Sequence, residues 1–148
     1  LLGEMRDYDT IQVVMTAAET GHLVFSTLHT IGAANTIERI IDVFPPNQQR
    51  QIMIQLASVL QAVISQQLIP TMDGTLIPVF EIMEVTPAIR NMIRENKVHQ
   101  IDGLIYSSTG SGMISMDQSL INLYKEGQIS NVVITLIALA YFESFPYT

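Results

Sequence analysis

The apolar positions at the start of the chain predict a strand followed by a helix. Leu1-Leu2 runs directly into Gly3 without a polar lead, and we expect these to be the last residues of a buried strand. Between Asp9 and Thr20, apolar residues recur at i, i+3, i+4 and i+7, which is the spacing of an amphipathic helix. Asp9 or the following threonine is a suitable N-cap, and Gly21 is a suitable stop.

A second strand is predicted from His22 to His29. The apolar residues in this short segment lack helical spacing, as expected for a strand buried on both faces. Strand, helix and strand in succession form the crossover unit of a parallel sheet.

Two further helices and a hairpin follow. The pattern predicts helices over Ala33–Val43 and from about Gln48 to Ser65, the latter capped by Asn47. Asp73-Gly74 lies between two apolar runs and is typical of a hairpin turn. The hairpin strands contain prolines that favour edge positions, namely Pro70 and Pro78.

The last third of the pattern is mainly helical. Thr86 and Pro87 open a helix, as N-cap and first residue, whose apolar positions continue to Ile101. A polar loop is expected over 107–112 and another helix over 118–126. The remainder, 131–148, is apolar and poorly patterned.

Composition narrows the class of protein. Hydrophobic residues make up 48% of the 148 residues and charged residues 14%, which excludes intrinsic disorder and suggests a surface normally covered by something else. A net charge of −7 disfavours general binding to nucleic acid or anionic lipid. The absence of cysteine excludes disulfides, thiolate zinc sites and a catalytic cysteine. The apolar run Val132–Phe142 is shorter than the ~20 residues of a transmembrane helix.

The two predicted strands end in residues that can carry chemistry. In an open parallel sheet, ligands lie outside the carboxyl ends of the strands, so we expect Glu4 and His29 close together on one edge. A carboxylate there can orient a water or help to hold Mg²⁺, and a histidine can stabilise phosphate charge. The alternative is that Glu4 and Arg6 form only a solvated ion pair.

Two other kinds of site fit the sequence poorly. His22 and His29 are too far apart along a strand to share one metal ion. The segment Thr109–Gly112 is rich in glycine and serine but is not a phosphate-binding loop, since that motif requires a Gly-Lys pair and the chain contains none. We interpret it as a flexible turn.

The helix after Pro87 concentrates charge on one face. Arg90 and Arg94 are i, i+4 neighbours of like charge, which slightly destabilises a lone helix, and paired arginines on one face suit an acidic partner surface. The alternative is a solvated face on which Glu95 and Lys97 balance the charge.

Several motifs together resemble the secretion ATPases of type II secretion and type IV pili. Gly3–Asp7 is similar to the end of the family's Walker B strand, and Gly21–Thr30 to its histidine box. The most specific similarity is to the AIRNLIRE motif of the twitching-motility retraction branch. It lies in eight consecutive residues: Ala88, Ile89, Arg90, Asn91, Met92, Ile93, Arg94 and Glu95. Shorter similarities to that branch include Glu81-Ile82-Met83.

The resemblance implies an α/β fold, namely the C-terminal part of a RecA-like P-loop NTPase core with parallel strands and a β-hairpin, followed by a mainly helical subdomain. The core part would be residues 1–84, the helical subdomain 85–130 and an atypical apolar tail 131–148.

The resemblance also implies roles for individual residues. Glu4 would be the Walker B glutamate, holding Mg²⁺ through water or polarising the attacking water, and His29 with His22 would form the histidine box near the γ-phosphate. ATP and Mg²⁺ would bind at Glu4 and His29, and Arg6 would reach across a subunit boundary. The Ala88–Glu95 motif would act in retraction.

The implied parent is a homohexamer at the cytoplasmic face of the inner membrane. It would be peripheral, without a transmembrane span or a nucleic-acid partner, and would meet the pilus platform protein. Because the family's Walker A loop is absent, we expect this chain alone to bind no cofactor and to be inactive. The alternative is a non-catalytic interaction or oligomerisation module derived from the same family.

Overall fold

The computed structural model describes residues 1–108 and 112–135. The predicted turn at 109–111 and most of the apolar tail, 136–148, lie outside the described residues. The elements are α1 (Tyr8–Glu19), α2 (Ala33–Asp42), α3 (Pro46–Val59), β1 (Ala62–Pro70), β2 (Leu76–Glu84), α4 (Pro87–Arg94), a 3-10 helix (Val98–Gln100), α5 (Ile101–Ser107) and α6 (Met116–Lys125).

The two segments that flank α1 run parallel, which confirms the predicted crossover direction. Glu4 and Thr27 form a parallel bridge, and the Met5 amide donates to the Thr27 carbonyl over 3.0 Å. The expectation that His22–His29 is a full strand buried on both faces is wrong for the described residues. Phe25 remains 62% exposed, because the described residues leave the face of the segment on which it lies uncovered.

The predicted hairpin is confirmed. β1 and β2 pair antiparallel, and their side chains alternate between buried and exposed along both strands. Asp73 closes the turn by accepting hydrogen bonds from the Thr75 amide and hydroxyl, and Gly74 takes the positive φ of 85° that the turn requires. Pro70 and Pro78 lie in a two-stranded sheet, so both are on edge strands, and among the described residues the bridge on the outer edge of β2 is at Ile82 rather than at Pro78.

The boundary between α3 and β1 differs from the expectation. α3 ends at Val59, and Asn47 lies inside its first turn because the helix begins at Pro46 with Pro45 as N-cap. The predicted helix through Ser65 is wrong. The apolar residues around Val63 fit the spacing of a helix as well as that of a strand, and the hydrogen bonds with β2 select the strand.

The helix caps are partly as predicted. Asp7, rather than Asp9 or Thr10, caps α1, since its carboxylate accepts the Thr10 amide over 2.8 Å. Thr86 caps α4 as expected. The single helix predicted through Ile101 is wrong, because Asn96 with φ of 57° ends α4 and the chain restarts as the 3-10 helix and α5.

One apolar core joins most of the helices to the hairpin. It includes buried residues from α1 to α5 and continues from Met83 on β2 through Val85 to Ile89 on α4, so it crosses the position where we divided the chain. A smaller cluster holds α6 against the end of the hairpin, through Ile69 and Leu120 among others. The division at 84/85 stays a prediction.

The outward face of the hairpin is apolar and exposed, notably at Ile64, Leu68 and Leu76. Within the two described ranges, no helix combines the length and hydrophobicity needed to cross a bilayer.

Candidate active site

The ends of the two parallel segments bring Glu4 and His29 together. The Glu4–Thr27 bridge fixes the register, and it places Nε2 of His29 at 3.2 Å from Oε1 of Glu4. The predicted proximity on one rim of the sheet is therefore confirmed. His29 is 83% exposed at its side chain, so it remains accessible to a ligand.

Arg6 completes a cluster of opposite charges on this rim. Its Nε lies 2.6 Å from the same Glu4 oxygen, which is the ion pair that we left open as an alternative. The Arg6 hydrogen bond lowers the pKa of Glu4, and the positive charges of Arg6 and His29 act in the same direction against partial desolvation. Glu4 is consequently a carboxylate at neutral pH, able to accept a proton or to orient a water.

A cleft of about 250 Å³ opens beside this cluster. Its polar lining comes from Glu4, Arg6, His29, Thr30 and Arg39. Arg39 projects from α2, and in the described part of the chain no carboxylate lies within ion-pairing distance of it. An unpaired guanidinium facing a carboxylate and an imidazole suits a bound phosphate group.

Sequence reasoning missed Arg39. It falls on the exposed side of an otherwise apolar helix, where an arginine is ordinarily solvated. The only signal was its position in the helix that directly follows His29, since this helix must start at the same rim.

His22 does not join the cluster. It lies just beyond the end of α1, where its Nδ1 is 3.1 Å from the Thr20 hydroxyl and 3.2 Å from the Ala17 carbonyl oxygen. It does not line the cleft. The structure thus places His22 at the other end of the segment from His29, as expected, and its role in a histidine box stays a prediction.

The family is established by comparison with known proteins. Residues 1–76 match the family model "Type II/IV secretion system protein", and this match covers half of the chain. This chain belongs to that family. Every polar residue of the cleft falls inside the matched range, whereas the Ala88–Glu95 motif lies beyond it.

Two relatives of this member of the type II/IV secretion family are named for twitching motility and pilus retraction. The chain is 51% identical over 131 residues to "Twitching motility protein" of Neisseria gonorrhoeae, covering 88% of this chain and 35% of the relative. It is 50% identical over 130 residues to "Type IV pilus retractation ATPase PilT" of Pseudomonas aeruginosa, covering 88% and 38%. The chain therefore spans little more than a third of the length of these relatives.

A solved structure of the family has the same fold. The "Crystal Structure of the Pilus Retraction Motor PilT and Bound ADP" is matched with a TM-score of 0.78 and 47% identity over 87% of this chain and 36% of the other. The parallel bridge, hairpin and helices described above thus share the fold of part of that protein, which confirms the predicted α/β class of a partial ATPase core.

The two arginines of the Ala88–Glu95 motif have different surroundings. Arg90 is half-buried and donates through Nη1 to the Ala57 carbonyl over 2.5 Å and to the Ser58 carbonyl over 3.1 Å. Its Nη2 donates to Oε1 of Gln61 over 3.3 Å. Arg94 is exposed, and within the described residues no acceptor of its guanidinium is found.

The cleft fits a magnesium ion only together with a phosphate ligand. Glu4 is the one carboxylate in the described lining, with the Thr30 hydroxyl as a further oxygen. Mg²⁺ in nucleotide hydrolases is held by one or two carboxylates, waters and the substrate phosphates, so one glutamate is sufficient if the nucleotide brings the rest. Nowhere in residues 1–108 and 112–135 do three or more potential ligands cluster into a self-sufficient metal site.

Proposed function

We propose that this chain is the C-terminal part of a motor ATPase that hydrolyses ATP to ADP and phosphate and drives type IV pilus retraction. The observation that carries the proposal is the cleft in which Glu4, held at 3.2 Å from His29, faces Arg39 within the family-matched range. The relatives support pilus retraction, since two similar proteins carry twitching or pilus retraction in their names.

Each cleft residue has a proposed role toward the triphosphate. Glu4 polarises the attacking water or holds Mg²⁺ through a water, and Mg²⁺ supplies charge neutralisation at the phosphates when bound. His29 and Arg39 stabilise the charge that develops on the γ-phosphate. Arg6 is 74% exposed and can leave Glu4 to contact a nucleotide at a subunit boundary. His22 acts indirectly, by fixing the start of the segment that ends at His29.

The chain by itself holds the triphosphate weakly under this proposal. None of its 148 residues forms the G-x-x-x-x-G-K-[ST] loop that cradles phosphates. Catalysis of phosphoryl transfer is almost entirely positioning and charge stabilisation, so the cleft without that loop supplies little rate enhancement. A homohexameric ring of the full-length protein completes the site.

The retraction role rests on the exposed part of the Ala88–Glu95 motif. Arg94 and Asn91 lie on the solvent side of α4, while Ile89 and Ile93 are buried in the core. The exposed side is the surface offered to the pilus platform protein, and the parent is peripheral at the cytoplasmic face of the inner membrane. The rival function is a non-catalytic interaction or oligomerisation module derived from the same family.

A chimaera tests this function. Residues 1–130 replace the matching segment of the Pseudomonas aeruginosa relative, and ATP turnover and twitching are measured. We expect the chimaera to hydrolyse ATP. Glu4→Gln should lower its kcat by at least about 100-fold, which is a loss of ~2.7 kcal/mol in transition-state stabilisation. Arg39→Ala should lower kcat by at least about tenfold.

The motif offers a matched control in the same chimaera. Arg94→Ala should leave ATP turnover within about twofold of the parent value while twitching is lost, because Arg94 lies outside the cleft. A chimaera that assembles and hydrolyses ATP equally well with Glu4→Gln contradicts the catalytic role. Robust Mg²⁺-dependent turnover by the 148-residue chain alone contradicts the need for the missing loop.

A further inference from the structure

A carboxylate is buried between the hairpin and two helices. Glu81 lies in the middle of β2 and faces inward with Val79 and Met83, at only 8% exposure. A carboxylate removed from water must be hydrogen-bonded, otherwise its burial is costly. Glu81 belongs to one of the shorter motifs noted in the sequence, and neither the cleft nor the retraction motif accounts for it.

The two carboxylate oxygens of Glu81 accept hydrogen bonds from the first residues of two helices. Oε1 accepts the Ala33 amide of α2 over 2.8 Å, and Oε2 accepts the Met116 amide of α6 over 3.4 Å. The N-cap of α2 is Gly32, which has no side chain and has a φ of 86°, so α2 has no cap of its own. Glu81, 48 positions further along the chain, supplies that cap.

α6 is secured to the same strand on both sides of Glu81. Ile82 and Ile114 exchange backbone hydrogen bonds of 2.9 and 3.0 Å, and the Ser119 hydroxyl donates to the Phe80 carbonyl over 2.6 Å. These contacts hold α6 against the hairpin independently of Glu81. Glu81 therefore connects the N-terminus of α2 to the hairpin and α6 together.

The N-terminus of α2 controls two residues of the cleft. The Thr36 hydroxyl bonds to the Gly32 carbonyl and to the Thr30 hydroxyl, each at 2.7 Å, so the first turn of α2 holds the segment that follows His29. Arg39 lies six residues after Ala33, about 9 Å along a rigid helix. A shift of the capped end therefore moves both Thr30 and Arg39.

We propose that Glu81 is a positioning residue of the cleft: by capping α2 from β2, it sets where Thr30 and Arg39 stand relative to Glu4, and it links the cleft to the hairpin and α6. The effect of Glu81 on phosphate binding rests on the proposed function. Its effect on the position of Arg39 in the free protein does not.

The charge state of Glu81 is consistent with this task. Burial raises its pKa, and the carboxylates of Asp102 and Asp117 add to the rise, while the Ala33 and Met116 amides oppose it. Either protonation state keeps an acceptor oxygen for Ala33, so the cap does not depend on a particular pH. Geometry, rather than charge, is what the proposal requires.

The test compares three substitutions of Glu81 in the 148-residue chain. Glu81→Ala removes both acceptors, Glu81→Asp keeps the charge but shortens the reach, and Glu81→Gln keeps one acceptor for Ala33. Glu84→Ala, an exposed carboxylate near the end of the same strand, is the matched control. The readouts are the NMR signals of Thr30 and of the Arg39 side chain, the dissociation constant of inorganic pyrophosphate, and the thermal unfolding midpoint.

We expect Glu81→Ala to shift the Thr30 and Arg39 signals in the free protein and to weaken pyrophosphate binding at least about fivefold. Glu81→Asp should shift the same signals and weaken binding two- to fivefold, while Glu81→Gln should rescue binding to within about twofold, as should Glu84→Ala. Where Glu81→Ala does not fold, Glu81→Asp decides. A folded variant with a lower unfolding midpoint but unchanged Arg39 signals and pyrophosphate affinity overturns the proposal.

Failure of the proposed function would look different. The proposed function fails if the chimaera hydrolyses ATP equally well with Glu4→Gln, whereas weak or absent pyrophosphate binding by the wild-type chain agrees with its lack of a phosphate-binding loop. The Thr30 and Arg39 signals in the unliganded variants still decide whether Glu81 positions these residues.

Discussion

Glu4 is the residue on which the charges of the cleft converge. A single oxygen of its carboxylate contacts both Arg6 and His29, and this sharing explains why the carboxylate stays ionised at a partly desolvated position. Arg39 lines the same cleft without contacting Glu4. The two arginines are thus separable by experiment, since Arg6 acts on Glu4 and Arg39 would act on a ligand under the proposed function.

Replacing Arg6 should change the titration of Glu4. We expect Arg6→Ala to raise the pKa of Glu4 toward its ordinary value, because the Arg6 hydrogen bond is the largest cause of its depression. The measurement is the pH dependence of the Glu4 side-chain carboxyl signal by carbon-13 NMR. Arg39→Ala is the matched control and should leave that titration unchanged. Equal titrations in wild type and Arg6→Ala would show that the ion pair does not persist in solution.

How far single residues can be predicted depends on whether their position follows from topology. Glu4 and His29 were predictable, since residues at the carboxyl ends of adjacent parallel strands must share a rim. Arg39 was not, because its approach to the cleft depends on how α2 packs. The inward position of Glu81 was readable from the alternation of β2, but its two helix-capping contacts bridge residues far apart in sequence.

At the scale of elements, the Ala88–Glu95 motif serves as a clamp between α4 and the end of α3. Arg90 reaches across to carbonyl oxygens in the last turn of α3, where the helix has unpaired acceptors and a partial negative charge. Its third contact, to Gln61, secures the turn into β1. Arg90 thus makes structural contacts, whereas Arg94 is exposed and is the arginine offered to a partner under the proposed function.

The clamp can be tested through stability. We expect Arg90→Met, which keeps the apolar stem but not the donors, to lower the free energy of unfolding by about 1–2 kcal/mol, since it leaves helix-terminal acceptors without their charged partner. Arg94→Met should change it by less than about 0.5 kcal/mol, as is usual for an exposed side chain. Urea denaturation of both variants is the measurement. Equal, small effects would mean that the Arg90 contacts contribute nothing in solution.

Element types were more predictable than their ends. The hairpin and the cap at Thr86 follow from local turn and capping chemistry, which the sequence contains. The end of α3 was not predictable from periodicity, because its apolar residues continue into β1 and pairing with β2 decides where the helix stops. The break at Asn96 likewise depends on how the following segment packs.

At the scale of the whole molecule, acidic side chains from four elements repel one another, and three of them, Glu38, Asp102 and Asp117, are exposed to solvent. Asp102 of α5 interacts with Glu38 of α2 and with Asp117 of α6. Asp102 and Asp117 also act on Glu81 of β2. Desolvation first, and these neighbouring carboxylates second, raise the pKa of Asp102. In a molecule with a net charge of −7, this concentration of like charge opposes the packing that the helices otherwise favour.

This arrangement predicts a pH-dependent stability difference. Because the pKa of Asp102 is higher in the folded than in the unfolded protein, its stabilising contribution is complete below the unfolded pKa and is lost as the pH rises through the folded pKa. Asp102→Asn removes that loss, so we expect the variant to be more resistant to urea than wild type at pH 7 and equally resistant near pH 3.5. Glu84→Gln removes the same charge from an exposed strand end outside this group and should change stability by less than about 0.5 kcal/mol at either pH. If the two variants gain equal stability toward urea at pH 7, the reduction in net charge alone explains the effect. The repulsion between Asp102 and its neighbouring carboxylates then has no separate influence on stability.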